Sequence, residues 1–224
     1  MSDDQQQPGS RPFFVQKIPL QSFHAQQVFK RGFDIYTRSV YSISVVLRAV
    51  ADEENVRVVE GIIDEKLNNA SEDIRREMDL LGKIADENGI TLGNVDYSNP
   101  GIVEAKISSH RSARYISIIR EFDHLIASID ALWLSGMIPD HDYSQKIYEW
   151  KRRILRIATH ANGVVRQLAA ESRKKNVIEI PSITDSKIPE TAKQVFAEET
   201  QVTAESHADS KPASTSKFPF FRRI

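Results

Sequence analysis

The residues best suited to chemistry lie within VEAKISSHRSARY, residues 103–115, where Lys106, Ser108, Ser109, His110, Arg111 and Arg114 crowd together with Glu104 as the single acid. Guanidinium and ammonium groups attract phosphate by charge and by releasing condensed counterions, and hydroxyls near a helix start add oriented donors. That chemistry is the gripping of an anionic backbone. A second cluster follows at Lys151, Arg152, Arg153 and Arg156. There Ile154, Leu155 and Ile157 supply an apolar side, so Arg152, Arg153 and Arg156 are expected to face outward.

Other chemistry finds little support. The six histidines are scattered. His110 and His124 sit fourteen residues apart on one helix, a separation of about 21 Å that rules out a shared metal. Carboxylates fall into helix-surface patterns with Lys and Arg, as in EDIRRE, rather than into a convergent acid and base pair. Phosphate loops, dinucleotide fingerprints, the HExxH zinc motif and the GxSxG elbow are absent. The reading is therefore a non-enzyme that uses no cofactor, metal or small-molecule substrate.

Positioning these groups requires a mainly α chain: two long helical hairpins joined by one or two short β-strands, then a disordered tail. Residues 1–12, polar and acidic, read as a disordered lead-in rather than a secretory signal. Residues 13–175 form a single mostly helical domain, and 176–224, rich in Ser, Thr, Glu, Ala and Pro, form the tail. FFVQKIPL, 13–20, is β-prone, and Pro19 suits an edge strand or extended arm. A hairpin spans about 22–88. Ser22 caps its first helix, which Gly32 weakens, and its second repeats Val56, Val59, Ile63, Leu67, Ala70, Ile74, Met78, Leu81 and Ala85 at intervals of three and four. Asn88-Gly89 ends it.

Alternation at Val103, Ala105 and Ile107 predicts a strand over about 102–108. The second hairpin covers about 109–175. Its first helix starts near Ser109 or Arg111 and closes at Gly136, and its second is capped by Asp140 or Asp142. The short link between them makes the pair antiparallel.

Charge is uneven along a chain whose net value is only −1. Residues 1–103 carry 11 basic and 16 acidic groups, and residues 104–175 carry 13 and 8. An anionic partner is expected to meet the second part. The absence of cysteine fits a reducing cytoplasm, and no apolar run approaches a membrane span. The terminal KFPFFRRI is either idle or a short docking motif.

A strand whose polar face leads into a helix start could lay base-reading side chains in the major groove of duplex DNA, but that groove takes a two-stranded ribbon. A second copy of the chain is expected to supply the other strand, giving a homodimer. Gln16 and Lys17, on the competing extended segment, are the alternative readers.

The stretch 121–158 holds the string D-x-L-I-x-x-I-x-x-L-W-x-x-G-x-I from Asp123 to Ile138 and the W-[KR]-[KR] step at Trp150. With the opening KIPLQSFHAQQVFKRG, this resembles the AcaB-like proteins of conjugative plasmids and integrative conjugative elements. The resemblance implies a transcriptional regulator of transfer genes with a ribbon-helix-helix relationship in its DNA-binding part. The alternative is a helical interaction or scaffold protein of such an element that does not read DNA.

Overall fold

The computed structural model describes residues 12–46, 53–93 and 95–174. The tail, the lead-in up to residue 11 and KFPFFRRI lie outside them. Strand β1 (Phe14–Leu20) opens the fold. A helical rod follows: α1 (Phe23–Val28), a π-helical turn (Phe29–Phe33), α2 (Asp34–Tyr41) and a second π-helical turn (Ser42–Val46). Next come α3 (Glu53–Glu87), β2 (Gly101–Ile107), α4 (His110–Leu134) and α5 (Asp140–Lys174).

The elements start and stop where local chemistry directs. Ser22 takes an extended conformation and accepts from the Ala25 amide at 3.2 Å, satisfying a free donor at the start of α1. Gly89 ends α3 at φ +67°, and the Ile90 amide reaches back to the Ala85 carbonyl at 2.9 Å. Gly136, at φ +74°, makes the turn between α4 and α5. The seam of α3 is buried at Val56, Ile63, Leu67, Ala70, Ile74, Leu81 and Ala85, with Val59 and Met78 partly covered.

The two hairpins pack across each other. The rod lies mainly on α5 and α4, and α3 lies on α4 and α5. Contacts give the directions. Ser22 meets Asp123 and Ser44 meets Arg111, so the rod runs antiparallel to α4. Gln27 meets Lys151, and Gly32 sits against Leu155 and Ala158, so the rod runs parallel to α5. Asp64 meets Arg111 and Ser71 meets Glu121, which makes α3 parallel to α4.

Gly32 occupies the tightest point. The ring of Tyr36 stacks on that of Tyr115 with centroids 4.3 Å apart, and the buried Tyr115 hydroxyl donates to the Ile154 carbonyl at 3.1 Å. A Cβ on Gly32 would fall 2.8 Å from that hydroxyl oxygen and 3.1 Å from Leu155 Cδ2. Overpacking of this kind costs about 1–3 kcal/mol, whereas Ala for Gly within a helix returns about 1 kcal/mol. Gly32→Ala is therefore expected to lower the urea midpoint. Gly61→Ala on α3, where nothing lies within 4 Å, should raise it.

One expectation is corrected. β2 does not wait for a second copy. It pairs antiparallel with β1 of its own chain, from Phe14 opposite Ile107 to Leu20 opposite Gly101. The reason is a shared inner face: Ile18, Leu20, Ala105 and Ile107 are all buried in the core. The two segments that competed as the ribbon are its two halves.

Candidate nucleic-acid interface

Directly paired residues of an antiparallel ribbon share a face. With Ile18 and Leu20 inward, the outer row consists of Val15 beside Lys106, Lys17 beside Glu104 and Pro19 beside Ile102. Lys17 Nζ stands 3.8 Å from Glu104 Oε1, with side chains 73% and 62% exposed, so water screens most of their attraction. Lys106 Nζ lies 5.8 Å from the centroid of Phe13. Phe13, Val15 and Ile102 are themselves exposed. Gln16 pairs with Ala105 on the other face and is also exposed.

Asp123 fixes the ribbon to the bundle. This buried carboxylate on α4 accepts from the Gln21 amide at 2.7 Å, the Ser22 amide at 2.8 Å and the Ser22 hydroxyl at 2.7 Å. It thereby holds the corner where β1 turns into α1. Nearby, Tyr97 donates to Asp130 Oδ2 at 2.6 Å, tying the chain before β2 to α4.

The corner after β2 uses its polar groups internally. Ser109 caps α4 in a reciprocal box, its hydroxyl accepting from the Ser112 amide at 3.2 Å and its amide donating to Ser112 Oγ at 3.0 Å. Ser108 Oγ is buried and has no hydrogen-bond partner among the described residues. His110 is exposed.

Arg111 is directed inward, not toward solvent. Its Nε and Nη2 donate to the two oxygens of Asp64 at 3.1 and 2.8 Å. Its Nη1 donates to Ser44 Oγ at 3.2 Å and lies 3.2 Å from Glu60 Oε1. Only 9% of its side chain is exposed. Arg114, 40% exposed, reaches Asp64 at 3.3 Å and also donates to Asn68.

On α5, Arg153 pairs with Asp73 and covers the Trp150 ring at 5.2 Å. Lys146 pairs with Glu77. Arg152 and Arg156 are exposed. The acidic first part of the chain and the basic second part thus meet at the α3 interface, and much of the uneven charge neutralises there. Cations missed from the sequence are exposed too: Lys30 and Arg31 in the first π-helical turn, Arg38 on α2 and Arg166 on α5. The signal for them was a rod whose buried stripe leaves those positions outside.

His24, on α1, has a buried Nδ1 with no hydrogen-bond partner among the described residues. Burial, then the nearby Lys151 charge, pulls its pKa below the ordinary 6.5, against an opposing pull from Asp130. The unfolded chain therefore takes up this proton first. Stability should fall as pH drops below about 6.5 and through the depressed folded-state value. Urea midpoints between about pH 7 and 5 test this. His24→Gln should shrink the slope, leaving the contribution of His160, whose burial shifts it in the same direction.

Among the described residues no three His, Cys, Asp or Glu side chains are grouped to hold a metal ion, and no helix is long and apolar enough to cross a membrane. No family model and no curated protein matches the chain. A solved structure does: that of AcaB from uropathogenic E. coli, a selenomethionine-containing crystal form. The two superpose with a TM-score of 0.70 at 29% sequence identity, over 75% of this chain and 86% of that one, so the ribbon and crossed hairpins described above form an AcaB-like fold.

Proposed function

We propose that this chain is a dimeric DNA-binding transcriptional regulator that acts in the cytoplasm on transfer genes of a conjugative plasmid or integrative element. The observation that carries this reading is the likeness to AcaB, which extends over most of that protein's length. It joins the resemblance of residues 121–158 to the AcaB-like family, which implies regulation of conjugative transfer. Exposed cations support it: Lys106 and Lys17 on the ribbon, the latter in a screened pair with Glu104, and Arg152 and Arg156 on α5. Arg111, Ser109 and Arg153 serve this role indirectly, by holding the corner and α5 in place.

Gel shifts with promoter fragments of the protein's own element, repeated at rising salt, test the reading. A complex that prefers those fragments over scrambled duplex supports it; binding blind to sequence, or none, counts against it. Sedimentation at micromolar concentration checks the dimer. A second reading, a helical interaction protein, is favoured by the apolar residues on and just before the ribbon's outer row, since Phe13, Val15 and Ile102 are better suited to a protein surface than to phosphate. In that case the purified chain would ignore promoter duplex, and Ile102→Lys would abolish transfer in cells.

A further inference from the structure

We infer that the phosphate backbone of duplex DNA is gripped by the side of the bundle formed by the rod and α5, through Lys30, Arg31, Arg38, Arg152, Arg156 and Arg166, rather than by the ribbon. This rests on the DNA-binding reading above and names its surface.

The fold creates this surface. The two cation groups are over a hundred residues apart in sequence. The fold lays the two stretches that carry them side by side, the rod running parallel along α5, with Lys151 donating to Gln27 at 2.8 Å and Gly32 seated against Leu155 and Ala158. All six cations are exposed, and none has a hydrogen bond or ion pair from its side chain among the described residues. Exposed acids in the same stretches are Asp34 and Glu149, the latter already accepting from Gln145 at 2.8 Å.

Other basic regions compare poorly. Arg111, Arg114, Arg153 and Lys146 are neutralised by α3. The ribbon offers two lysines, one beside Glu104, among apolar side chains. On α3, Arg75 and Lys83 stand among Glu72, Asp79, Asp86 and Glu87.

Size also fits. Arg152 to Arg166 covers about 21 Å of helix, and packed helices lie about 8–10 Å apart. A duplex presents a charge every ~1.7 Å of its axis, so each cation over such a footprint finds a phosphate. Those contacts carry no sequence information; they hold the protein in register while other side chains read bases.

The test is fluorescence anisotropy of the full chain with labelled duplex over a salt series. Six contacts predict a slope of about −5 in log K against log salt. Arg31→Ala with Arg38→Ala should lower the steepness by about 2, and Arg152→Ala, Arg156→Ala and Arg166→Ala together by about 3, with affinity down about 100-fold near physiological salt. Urea midpoints should be unchanged, since none of these side chains is packed. Lys17→Ala with Lys106→Ala should leave the slope nearly as it was. If the wild-type chain binds duplex but only the ribbon variant changes the slope, this inference fails and the DNA-binding reading survives. A wild-type chain that ignores duplex even at low salt overturns both. Preference for anionic phospholipid vesicles over duplex, lost in the same variants, would make this side a membrane contact and overturn the duplex assignment.

Discussion

Arg111→Ala should lower the free energy of unfolding by about 3 kcal/mol, one of the two largest losses expected for a single substitution in this chain. The guanidinium is almost fully removed from water, forks onto both oxygens of Asp64, and also contacts Glu60 and Ser44. Deleting it leaves carboxylates in a half-covered interface with their main counter-charge gone, and breaking one side of a buried pair costs more than the pair contributes. Glu60 keeps a hydrogen bond from Ser44 and Asp64 keeps Arg114, which limits the damage. Arg111→Lys should rescue little, because an ammonium cannot reproduce the two-pronged contact. Arg114→Ala, at a side chain 40% exposed, should cost under about 1 kcal/mol. Urea denaturation followed by circular dichroism measures all three. Affinity for duplex, corrected to the folded fraction, should be nearly unaffected in Arg111→Ala. A variant of full stability that no longer binds DNA would put Arg111 back among the phosphate contacts.

Whether a feature was legible depended on how local its cause was. The seam of α3 and the turns at Gly89 and Gly136 follow from spacing and backbone chemistry within a few residues, and they stand where the sequence places them. Pairing of β1 with β2 depends on contacts between Phe14 and Ile107, separated by most of the fold, and a six-residue alternation does not name its partner. The direction of Arg111 is written in the spacing of its helix. It shares a helical stripe with Tyr115, Ile118 and Phe122, all buried, and its partners Glu60 and Asp64 flank the α3 seam at a four-residue step. Counting charge along the chain hid this, because opposite charges distant in sequence meet across an interface. Apolar neighbours direct Arg152, Arg153 and Arg156 outward; Arg152 and Arg156 are exposed, whereas Arg153 turns to Asp73 across the α3 interface, because a long side chain beside the seam reaches an acid that sequence spacing does not show. Lys30, Arg31 and Arg38 matter only because the rod lies along α5, a packing that no local pattern encodes.

Asp123→Ala is expected to cost about 3 kcal/mol or more, from unsatisfied donors rather than from lost packing. The carboxylate is 6% exposed and accepts three hydrogen bonds from two consecutive residues, Gln21 and Ser22. Alanine has no acceptor, so two backbone amides at the strand-to-helix corner lose their partner in a site where the Ser22 amide is buried. Asp123→Asn keeps one oxygen but points an amide donor at groups that also donate, so it should recover only part of the loss. Ser22→Ala removes the α1 cap and one of the three bonds, and should cost about 1 kcal/mol. Because the corner joins the ribbon to the rod, the effect should be local first. Hydrogen exchange in Asp123→Asn should accelerate at Gln21, Ser22 and along β1 before it does in α4. An Asp123→Ala protein with an unchanged urea midpoint and protected amides at Gln21 and Ser22 would show that the ribbon is held by its apolar inner face alone, with Ile18 and Leu20 sufficient to fix its place on the bundle.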